Sequence, residues 1–401
     1  MLVGIVGKPS SGKSTFLNAA CLTDAKTANY PFTTIEPNMG TSHVRIDCVC
    51  DEFGVKDNPK NSYCVNSQRF VPVKLLDVAG LVPDAHKGKG MGNKFLSDLS
   101  RADALIHIVD ISGSLSANGE DVEEGSRDPL DDVKFLEREI NHWFANLIKK
   151  KDWSKFTRKL KQEKLSFSDV LYERLAGIKV QKIHIQKTIK NTKLNYDNIQ
   201  EWTEEDILEF SSRLREISKP ILVSGNKIDK KVSKSMFRDL NNRKSLDLIP
   251  CSGLAELMLR KYQDQGIIKY IPGDKNFTIV LEEKLSKREI QTLEKIKSEI
   301  MDEFGSTGVQ NVLNKACIEL LNQIVVYPVA DAKSLSDKDG NILPDAFLVE
   351  KGTKIKDFVR NKIHSDLAKN FIYAINARTN MRISDDYILK NNDVIKIVSA
   401  A

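Results

Sequence analysis

Long apolar runs and paired cysteines are the two features that this sequence of 401 residues most clearly lacks. No uninterrupted apolar stretch approaches the about 20 residues that a transmembrane helix needs, so we do not expect a membrane protein. The six cysteines are irregularly spaced, which excludes a disulfide framework and favours a reducing cytosol. A strand-like segment starts almost at Met1, so we expect no signal peptide.

Three of the cysteines, Cys48, Cys50 and Cys64, lie close together in the sequence. A metal site can be imagined there, but a partner pair at zinc-ligand spacing is absent. We therefore interpret them as ordinary strand or loop cysteines.

The composition is that of an ordinary globular protein with two or three domains, since 41% of the residues are hydrophobic and 29% are charged. The net charge of +6 is mild, but the positive excess is concentrated between Lys149 and Lys193. This basic stretch is either a solvated helical surface or a patch that contacts an RNA backbone, and charge alone leaves both interpretations open.

A glycine-rich segment at the N-terminus has the pattern Gly7-x-x-x-x-Gly12-Lys13-Ser14, between an apolar run and a helix-like segment. Strand, glycine loop and helix in this order predict a phosphate-binding loop. We expect Lys13 to reach the terminal phosphates as a catalytic group and Ser14 to hold Mg²⁺. The predicted nucleotide contacts here are Gly7, Lys8, Pro9, Ser10, Ser11, Gly12, Lys13, Ser14 and Thr15.

A second candidate segment contains Thr33 and Thr34 between Pro31 and Pro37, which predicts a loop. In a guanine-nucleotide switch protein, Thr34 would bind Mg²⁺ and the γ-phosphate. A structural loop without a ligand is the alternative.

A third motif follows the predicted strand from Val71 to Leu76 and begins with Asp77. Asp77 can hold a Mg²⁺-bound water, and the Gly80 N–H can meet the γ-phosphate. Leu81 stands where Ras-like enzymes place the glutamine that orients the attacking water. His86 is a catalytic candidate for that task, although a solvent-facing loop histidine is the simpler interpretation.

The fourth motif, Asn226-Lys227-Ile228-Asp229, follows a predicted strand from Pro220 to Gly225. The Asp229 carboxylate can accept hydrogen bonds from both the ring N–H and the exocyclic amine of guanine, whereas adenine offers a lone pair at the ring position. We expect Asn226 and Lys227 to brace the base pocket. Ser252 and Gly253 then predict a base-contacting loop.

The spacing between motifs predicts the domain organisation. The stretch from Asp77 to Asn226 is more than twice what two βα crossovers need, so a helical insertion is expected, starting with the cap Asp128-Pro129. We predict an α/β fold with a mostly parallel sheet in residues 1–127 and 219–320, a basic helical insertion in residues 128–218, and a small α+β, β-grasp-like module in residues 321–401.

These motifs together resemble the YchF subfamily of Obg-related translation GTPases, in its archaeal-type form. The resemblance is carried by residues 30–34, by residues 77–81 with the following glycines at 88, 90 and 92, by residues 305–310 and by the C-terminal segment. It implies a G domain, an insertion similar to a coiled-coil arm and a C-terminal TGS domain. It also implies ribosome association and slow GTP hydrolysis, with Leu81 replacing the catalytic glutamine.

Two departures from the family pattern bear on specificity. Related phosphate loops carry asparagine, linked to K⁺ in Obg-type relatives, where this chain has Ser10, so K⁺ dependence stays open. Bacterial and eukaryotic members lose the guanine motif and prefer ATP, whereas this chain keeps Asn226 to Asp229, so we expect GTP and keep an ATP-preferring or mixed NTPase as the alternative. An RNA-binding scaffold with a structural nucleotide is the other alternative, and a monomer is favoured.

Overall fold

The computed structural model describes residues 1–21, 38–79, 92–150, 152–243 and 247–400. The described strands are β1 (Leu2–Val6), β2 (Met39–Asp47), β3 (Tyr63–Val65), β4 (Gln68–Asp77), β5 (Ala104–Asp110), β6 (Ile221–Asn226), β7 (Leu248–Pro250), β8 (Ile268–Lys269), β9 (Thr278–Ile279), β10 (Gln323–Val329), β11 (Phe347–Glu350), β12 (Phe371–Asn376), β13 (Met381–Ile383) and β14 (Asp393–Ser399).

The described α-helices are α1 (Lys13–Cys21), α2 (Cys50–Phe53), α3 (Gly92–Arg101), α4 (Pro129–Lys149), α5 (Trp153–Glu163), α6 (Phe167–Leu175), α7 (Lys182–Asn191), α8 (Glu204–Ser218), α9 (Lys231–Asn242), α10 (Gly253–Asp264), α11 (Lys287–Lys295), α12 (Asp302–Phe304), α13 (Val309–Asn314), α14 (Ile355–Phe358) and α15 (Ser365–Lys369). π-Helical turns continue α11, α13 and α14 at Ile296–Met301, Lys315–Leu320 and Val359–Ile363. No helix within the described ranges is both long enough and apolar enough to cross a bilayer.

The main sheet has the strand order β2-β4-β1-β5-β6-β7, with β3 paired to the start of β4. All of these pairings are parallel except those of β2 and β3 with β4. Every residue of β5 is buried, as expected for a central strand covered on both faces. Since the carboxyl ends of parallel strands meet at one edge, the sheet brings together Gly7, Asp77, Asp110 and Asn226. The prediction of an α/β fold with a mostly parallel sheet is confirmed.

The insertion consists of α4 to α8 with short connections. Asp128 caps α4 by accepting a hydrogen bond from Leu130 N at 3.0 Å, and Pro129 is the first helical residue, as predicted. The helices α4 and α8 pack against each other, α6 packs against α4, α7 packs against α8, and α5 contacts the turn Ile199–Glu201. Neighbouring aromatic rings fill the interior with centroids 5.4 to 6.4 Å apart, and this aromatic cluster consists of Trp153, Phe156, Phe167, Tyr196, Trp202 and Phe210.

The C-terminal module is a second sheet with the strand order β11-β10-β14-β12-β13, in which β10 and β14 are parallel. The helical turns that begin at Ile355 end before His364, which caps α15 by accepting a hydrogen bond from Asp366 N. One hydrophobic cluster joins this module to the main sheet, since Val325, Tyr327 and Leu343 pack in the same core as Val44 and Val71. The two sheets are therefore held together by a shared core.

Candidate nucleotide-binding site

The phosphate loop lies between β1 and α1, at the carboxyl edge of the main sheet. Its first glycine, Gly7, has φ +149°, and a Cβ there would come within 2.4 Å of the Ile108 carbonyl oxygen. Gly12 has φ +93°, and its Cβ would come within 2.3 Å of Asn226 Nδ2. Both positions require glycine, since the backbone approaches other groups closely in a conformation that side chains disfavour.

Lys13 extends back over the loop, where its Nζ donates to the Lys8 carbonyl oxygen at 2.6 Å. Burial lowers the pKa of Lys13, while the Asp77 carboxylate acts to raise it. The Lys13 ammonium is therefore held beside the loop and next to the carboxylate at the end of β4.

Asp77 and Ser14 form the oxygen pair that the sequence predicts for Mg²⁺. The Ser14 hydroxyl hydrogen-bonds to the Asp77 carboxylate, and Lys13 also faces it. Burial raises the pKa of Asp77, an effect that Lys13 and Ser14 partly oppose. A hydroxyl and a carboxylate suit a hard divalent cation, so this donor set fits Mg²⁺.

Four predicted residues lie outside the described part of the chain. These are Thr34 in the proline-bounded segment, and Gly80, Leu81 and His86 after the Asp77 motif. Their predicted roles stay predictions.

Asn226 connects the phosphate loop to the predicted base-contacting loop. Its Nδ2 donates to the Ser11 carbonyl oxygen at 2.9 Å, and its Oδ1 accepts from Gly253 N at 3.0 Å. Asn226 is buried, so both hydrogen bonds are shielded from water. One side chain therefore fixes the relative positions of two loops that are 242 residues apart in the sequence.

Asp229 is placed by Ser252, whose Oγ donates to Asp229 Oδ1 at 2.7 Å. The same hydroxyl caps α10 by accepting from Ala255 N at 3.2 Å. Asp229 is partly exposed, so its carboxylate is oriented by a neighbour and is still accessible to a ligand. This is the arrangement required of a group that reads a base edge.

The phosphate and base motifs therefore lie at the same edge of one sheet. Comparison with known proteins then shows which family the chain belongs to. The chain is 44% identical over 401 residues to an uncharacterized GTP-binding protein of Methanocaldococcus jannaschii, which covers 100% of this chain and 99% of that protein. The chain belongs to the Obg-like GTPase family.

Three family models match successive parts of this Obg-like GTPase. The model described as 50S ribosome-binding GTPase matches residues 2–136, the Obg-like GTPase YGR210-like, G4 motif-containing domain matches residues 224–331, and the TGS domain matches residues 336–399. The crystal structure of a GTP-binding protein from Pyrococcus horikoshii superposes with a TM-score of 0.77 at 36% identity and covers 100% of both chains. The Bacillus subtilis protein named ribosome-binding ATPase YchF is 35% identical over 175 residues, which is 43% of each chain.

The structure adds groups to the Obg-like site that the sequence motifs did not indicate. Asp110, at the end of β5, accepts hydrogen bonds from Lys227 Nζ at 2.9 Å, Ser112 Oγ at 2.6 Å and Ser114 Oγ at 2.8 Å. Burial acts to raise the pKa of Asp110, but these hydrogen bonds outweigh it and the net shift is downward. Asp110 thus stays ionised and anchors the Lys227 stem.

Lys8 is held by residues outside the phosphate loop. Its buried Nζ donates to the Ser116 carbonyl oxygen at 2.9 Å and forms an ion pair with Asp132 on α4. The sequence does not indicate this ion pair, because Asp132 belongs to the insertion and is 124 residues away from Lys8.

Residues 305–310, which carry part of the family resemblance, pack against the predicted base-contacting loop at Ser252 and Gly253. Ser252 N donates to the Thr307 carbonyl oxygen at 2.8 Å, and Gly308 has φ +87° where a Cβ would come within 2.0 Å of the Pro250 carbonyl oxygen. The buried Glu256 accepts from Tyr270 Oη at 2.7 Å and from Thr307. This segment therefore holds the Ser252 and Gly253 loop in place.

Proposed function

We propose that this Obg-like protein is a switch that binds GTP with Mg²⁺, hydrolyses it slowly and associates with the ribosome or its RNA. The observation that carries the proposal is the Asn226 side chain, which hydrogen-bonds to both Ser11 of the phosphate loop and Gly253 of the base-contacting loop. Asp229, three residues later, is then positioned by Ser252 to accept the two guanine donors.

The proposed chemistry follows from the groups around the phosphate loop. Loop amides and Lys13 stabilise the negative charge that develops during phosphoryl transfer. Ser14 and Asp77 would hold Mg²⁺, which neutralises phosphate charge when bound. Leu81 has no hydrogen-bonding group in its side chain, so it cannot orient a water molecule and slow turnover is expected.

The proposed RNA contact is the exposed basic surface of the insertion. Lys182, Lys179 and Arg174 are already paired with Asp169, Asp103 and Asp152. Several other exposed basic side chains of the insertion form no ion pair within the described ranges, and they include Lys155, Arg158, Lys161, Lys164, Lys187, Lys190 and Lys193. Unpaired cations of this kind are suited to a phosphate backbone through counterion release.

Turnover tests the enzymatic part of the proposal. Wild-type protein should release phosphate from GTP slowly and Mg²⁺-dependently, and Lys13→Ala should reduce single-turnover hydrolysis by at least about 100-fold, because Lys13 is the phosphate-loop cation. Lys261→Ala, on the exposed side of α10, is the control and should hydrolyse GTP normally. Faster hydrolysis of ATP than of GTP by the wild type would instead support the ATPase alternative. That alternative is kept because the Bacillus subtilis relative is named an ATPase.

Co-sedimentation with ribosomal subunits separates the switch from the scaffold. The switch predicts binding that differs between GDP and a GTP analogue and is lost when Lys155, Arg158 and Lys161 are changed to glutamate. A matched triple change of Lys284, Lys287 and Lys295, which are exposed around α11, should leave binding intact. Salt-sensitive binding of equal strength with GDP and with the GTP analogue would instead support the RNA-binding scaffold.

A further inference from the structure

Three cysteines and one aspartate converge beyond the end of β2. The Sγ atoms of Cys48, Cys50 and Cys64 and a carboxylate oxygen of Asp57 all lie within 4.8 Å of one another. Asp47 pairs with Gln68 at the start of β4, whereas Asp77 ends that strand, so the cluster lies at the opposite edge of the sheet from the phosphate loop. The nucleotide site makes no use of these groups.

The four groups come from three segments that the fold brings together: Cys48 lies just before α2 and Cys50 begins it, Asp57 lies in the loop after it and Cys64 on β3. Cys48 and Cys50 are each 5% exposed, and the side chain of Asp57 is 9% exposed. Gly54, at φ +61°, ends α2 and turns the chain back, while Cys48 N donates to the Ser67 carbonyl oxygen at 2.8 Å. The donors are therefore held in a shielded position by backbone geometry.

Two donor–donor distances are close to those of a tetrahedral metal site, and all of them lie below 4.8 Å. Zinc–sulfur bonds of about 2.3 Å at tetrahedral angles place neighbouring sulfur atoms about 3.8 Å apart, and sulfur and oxygen slightly closer. Here Cys50 Sγ and Cys64 Sγ are 4.0 Å apart, and Cys48 Sγ is 3.3 Å from Asp57 Oδ2. We propose that Cys48, Cys50, Asp57 and Cys64 form a structural site for one zinc-like divalent cation.

The donor set decides the class of metal. Three thiolates select a borderline-soft cation over Mg²⁺ or Ca²⁺, which take oxygen ligands. Four protein ligands fill a tetrahedral site, so the site is structural and no position is left for a substrate. Sequence spacing favoured ordinary cysteines because it could not show that Asp57 is the fourth donor.

Arg69 connects the proposed metal site to the C-terminal module. This fully buried arginine donates from Nη1 to Asp57 Oδ2 at 2.8 Å and from Nη2 to the Leu343 carbonyl oxygen at 2.7 Å, and its guanidinium lies 5.6 Å from the Tyr327 ring centroid. Three thiolates, a carboxylate and a dication carry a charge of −2, which the arginine partly offsets. Orienting a ligand carboxylate in this way is typical of residues around metal sites.

The loop that follows Asp57 makes further contacts to the same module. Asn58 N and Lys60 N donate to the carbonyl oxygens of Ile342 and Pro344 at 3.1 and 2.7 Å, and the Asn61 amide pairs with the Ala346 backbone. Metal binding would therefore stabilise the junction of the two sheets.

The test is the metal content of full-length protein purified under reducing conditions without added metal. We expect about one zinc per chain, a cobalt-substituted form with thiolate charge-transfer and tetrahedral d–d absorption, and a lower Tm after chelation. Cys64→Ser and Cys48→Ser should reduce zinc content at least about tenfold, whereas Cys21→Ser, which changes a cysteine outside the cluster, should retain it. Asp57→Cys should bind at least as tightly as the wild type, because a thiolate replaces the carboxylate.

Wild-type protein without zinc and without the cobalt–thiolate spectrum would overturn the proposal. So would full zinc content in Cys64→Ser, or a Cys50–Cys64 disulfide in freshly isolated metal-free protein. Since chelation and cobalt exchange use the wild type, the proposal is tested even where a variant does not fold.

Discussion

Lys8 is a buried cation whose partners lie outside its own loop. It is 6% exposed, and Asp132 on α4 supplies its counter-charge at 14% exposure. A buried ion pair contributes little net stability, but removing one partner leaves the other charge without compensation. The pair therefore makes the phosphate loop dependent on the first helix of the insertion.

Asp132→Ala should lower the free energy of unfolding by about 3 kcal/mol and weaken GDP binding, because it leaves the Lys8 ammonium unpaired. The measurement is urea unfolding together with GDP titration. Asp131→Ala is the matched control, since the exposed Asp131 lies 3.9 Å from Arg127 and should cost less than about 0.5 kcal/mol. Equal losses of unfolding free energy in the two variants would contradict this role of Lys8. The double variant Lys8→Met, Asp132→Leu removes both charges and should recover most of the stability, and its failure to do so would also contradict the role.

Ser252→Ala should weaken GDP binding by about 5- to 10-fold while ADP binding stays unchanged. The reason is that Ser252 Oγ orients Asp229 and contributes about 1 kcal/mol as a hydrogen bond. Calorimetric titration of both nucleotides is the measurement. Ser235→Ala, on the exposed side of α9, should bind like the wild type, and parallel losses of GDP and ADP affinity in Ser252→Ala would argue against base reading.

Among the elements, α8 is attached to the main sheet by a lysine at its end. Lys219 is 1% exposed, and its Nζ donates to the carbonyl oxygens of Ser100 at 3.2 Å and Ala102 at 2.5 Å. Burial lowers the pKa of Lys219 from 10.5 to about 8, with Asp103 opposing the shift. The buried Lys219 therefore fixes the end of the insertion to the segment before β5, although burial disfavours its charged form.

The stability that Lys219 provides should rise with pH. Between about pH 8 and 10.5 the unfolded chain holds a proton on this lysine that the folded chain has lost, so raising the pH favours the folded state. The unfolding free energy of the wild type relative to Lys219→Met should therefore increase by up to about 3 kcal/mol across this window. Denaturant titrations at several pH values measure it, with the exposed Lys190→Met on α7 as the flat control. A pH-independent difference for Lys219→Met would show that the lysine does not change its pKa on folding.

The elements that carry motifs were predictable because they end at the same edge of a parallel sheet. β1, β4 and β6 each read as an apolar run followed by a chemically distinctive residue, so Gly7, Asp77 and Asn226 could be identified. Asp110 also ends an apolar run, but it has no flanking motif, and only the contact with Lys227 shows its role. Contacts across the insertion, such as Lys8 with Asp132, could not be predicted, because no local pattern fixes which helix face meets the loop.

In the whole molecule, the main sheet and the C-terminal module share one hydrophobic core. Val325 and Tyr327 on β10 are fully buried in the same cluster as Val44 on β2 and Val71 on β4. The sequence predicted a separate module in residues 321–401, but domain boundaries drawn from sequence could not show that one core includes residues on both sides of them.

Calorimetry should therefore detect the C-terminal module and the nucleotide site unfolding together. Val325→Ala should lower the free energy of unfolding by about 2 kcal/mol, because it opens a cavity in the shared core. The unfolding temperature and the temperature at which bound GDP is released should then fall by the same few degrees. Ile372→Ala, at an exposed position on β12, is the control and should leave both temperatures unchanged. A separate early transition, with GDP release unaffected, would contradict the shared core.

Base selectivity shows whether Asp229 recognises guanine in the proposed site. Titration of GDP, ADP and xanthosine diphosphate should show that the wild type prefers GDP over ADP by at least about 100-fold, because in the proposed site Asp229 would accept two hydrogen bonds from guanine. Asp229→Asn should lose that preference and favour xanthosine diphosphate, since an amide donor then faces the carbonyl group that replaces the guanine amine. Equal or tighter binding of ADP by the wild type, or an unchanged order of affinities in Asp229→Asn, would contradict the account.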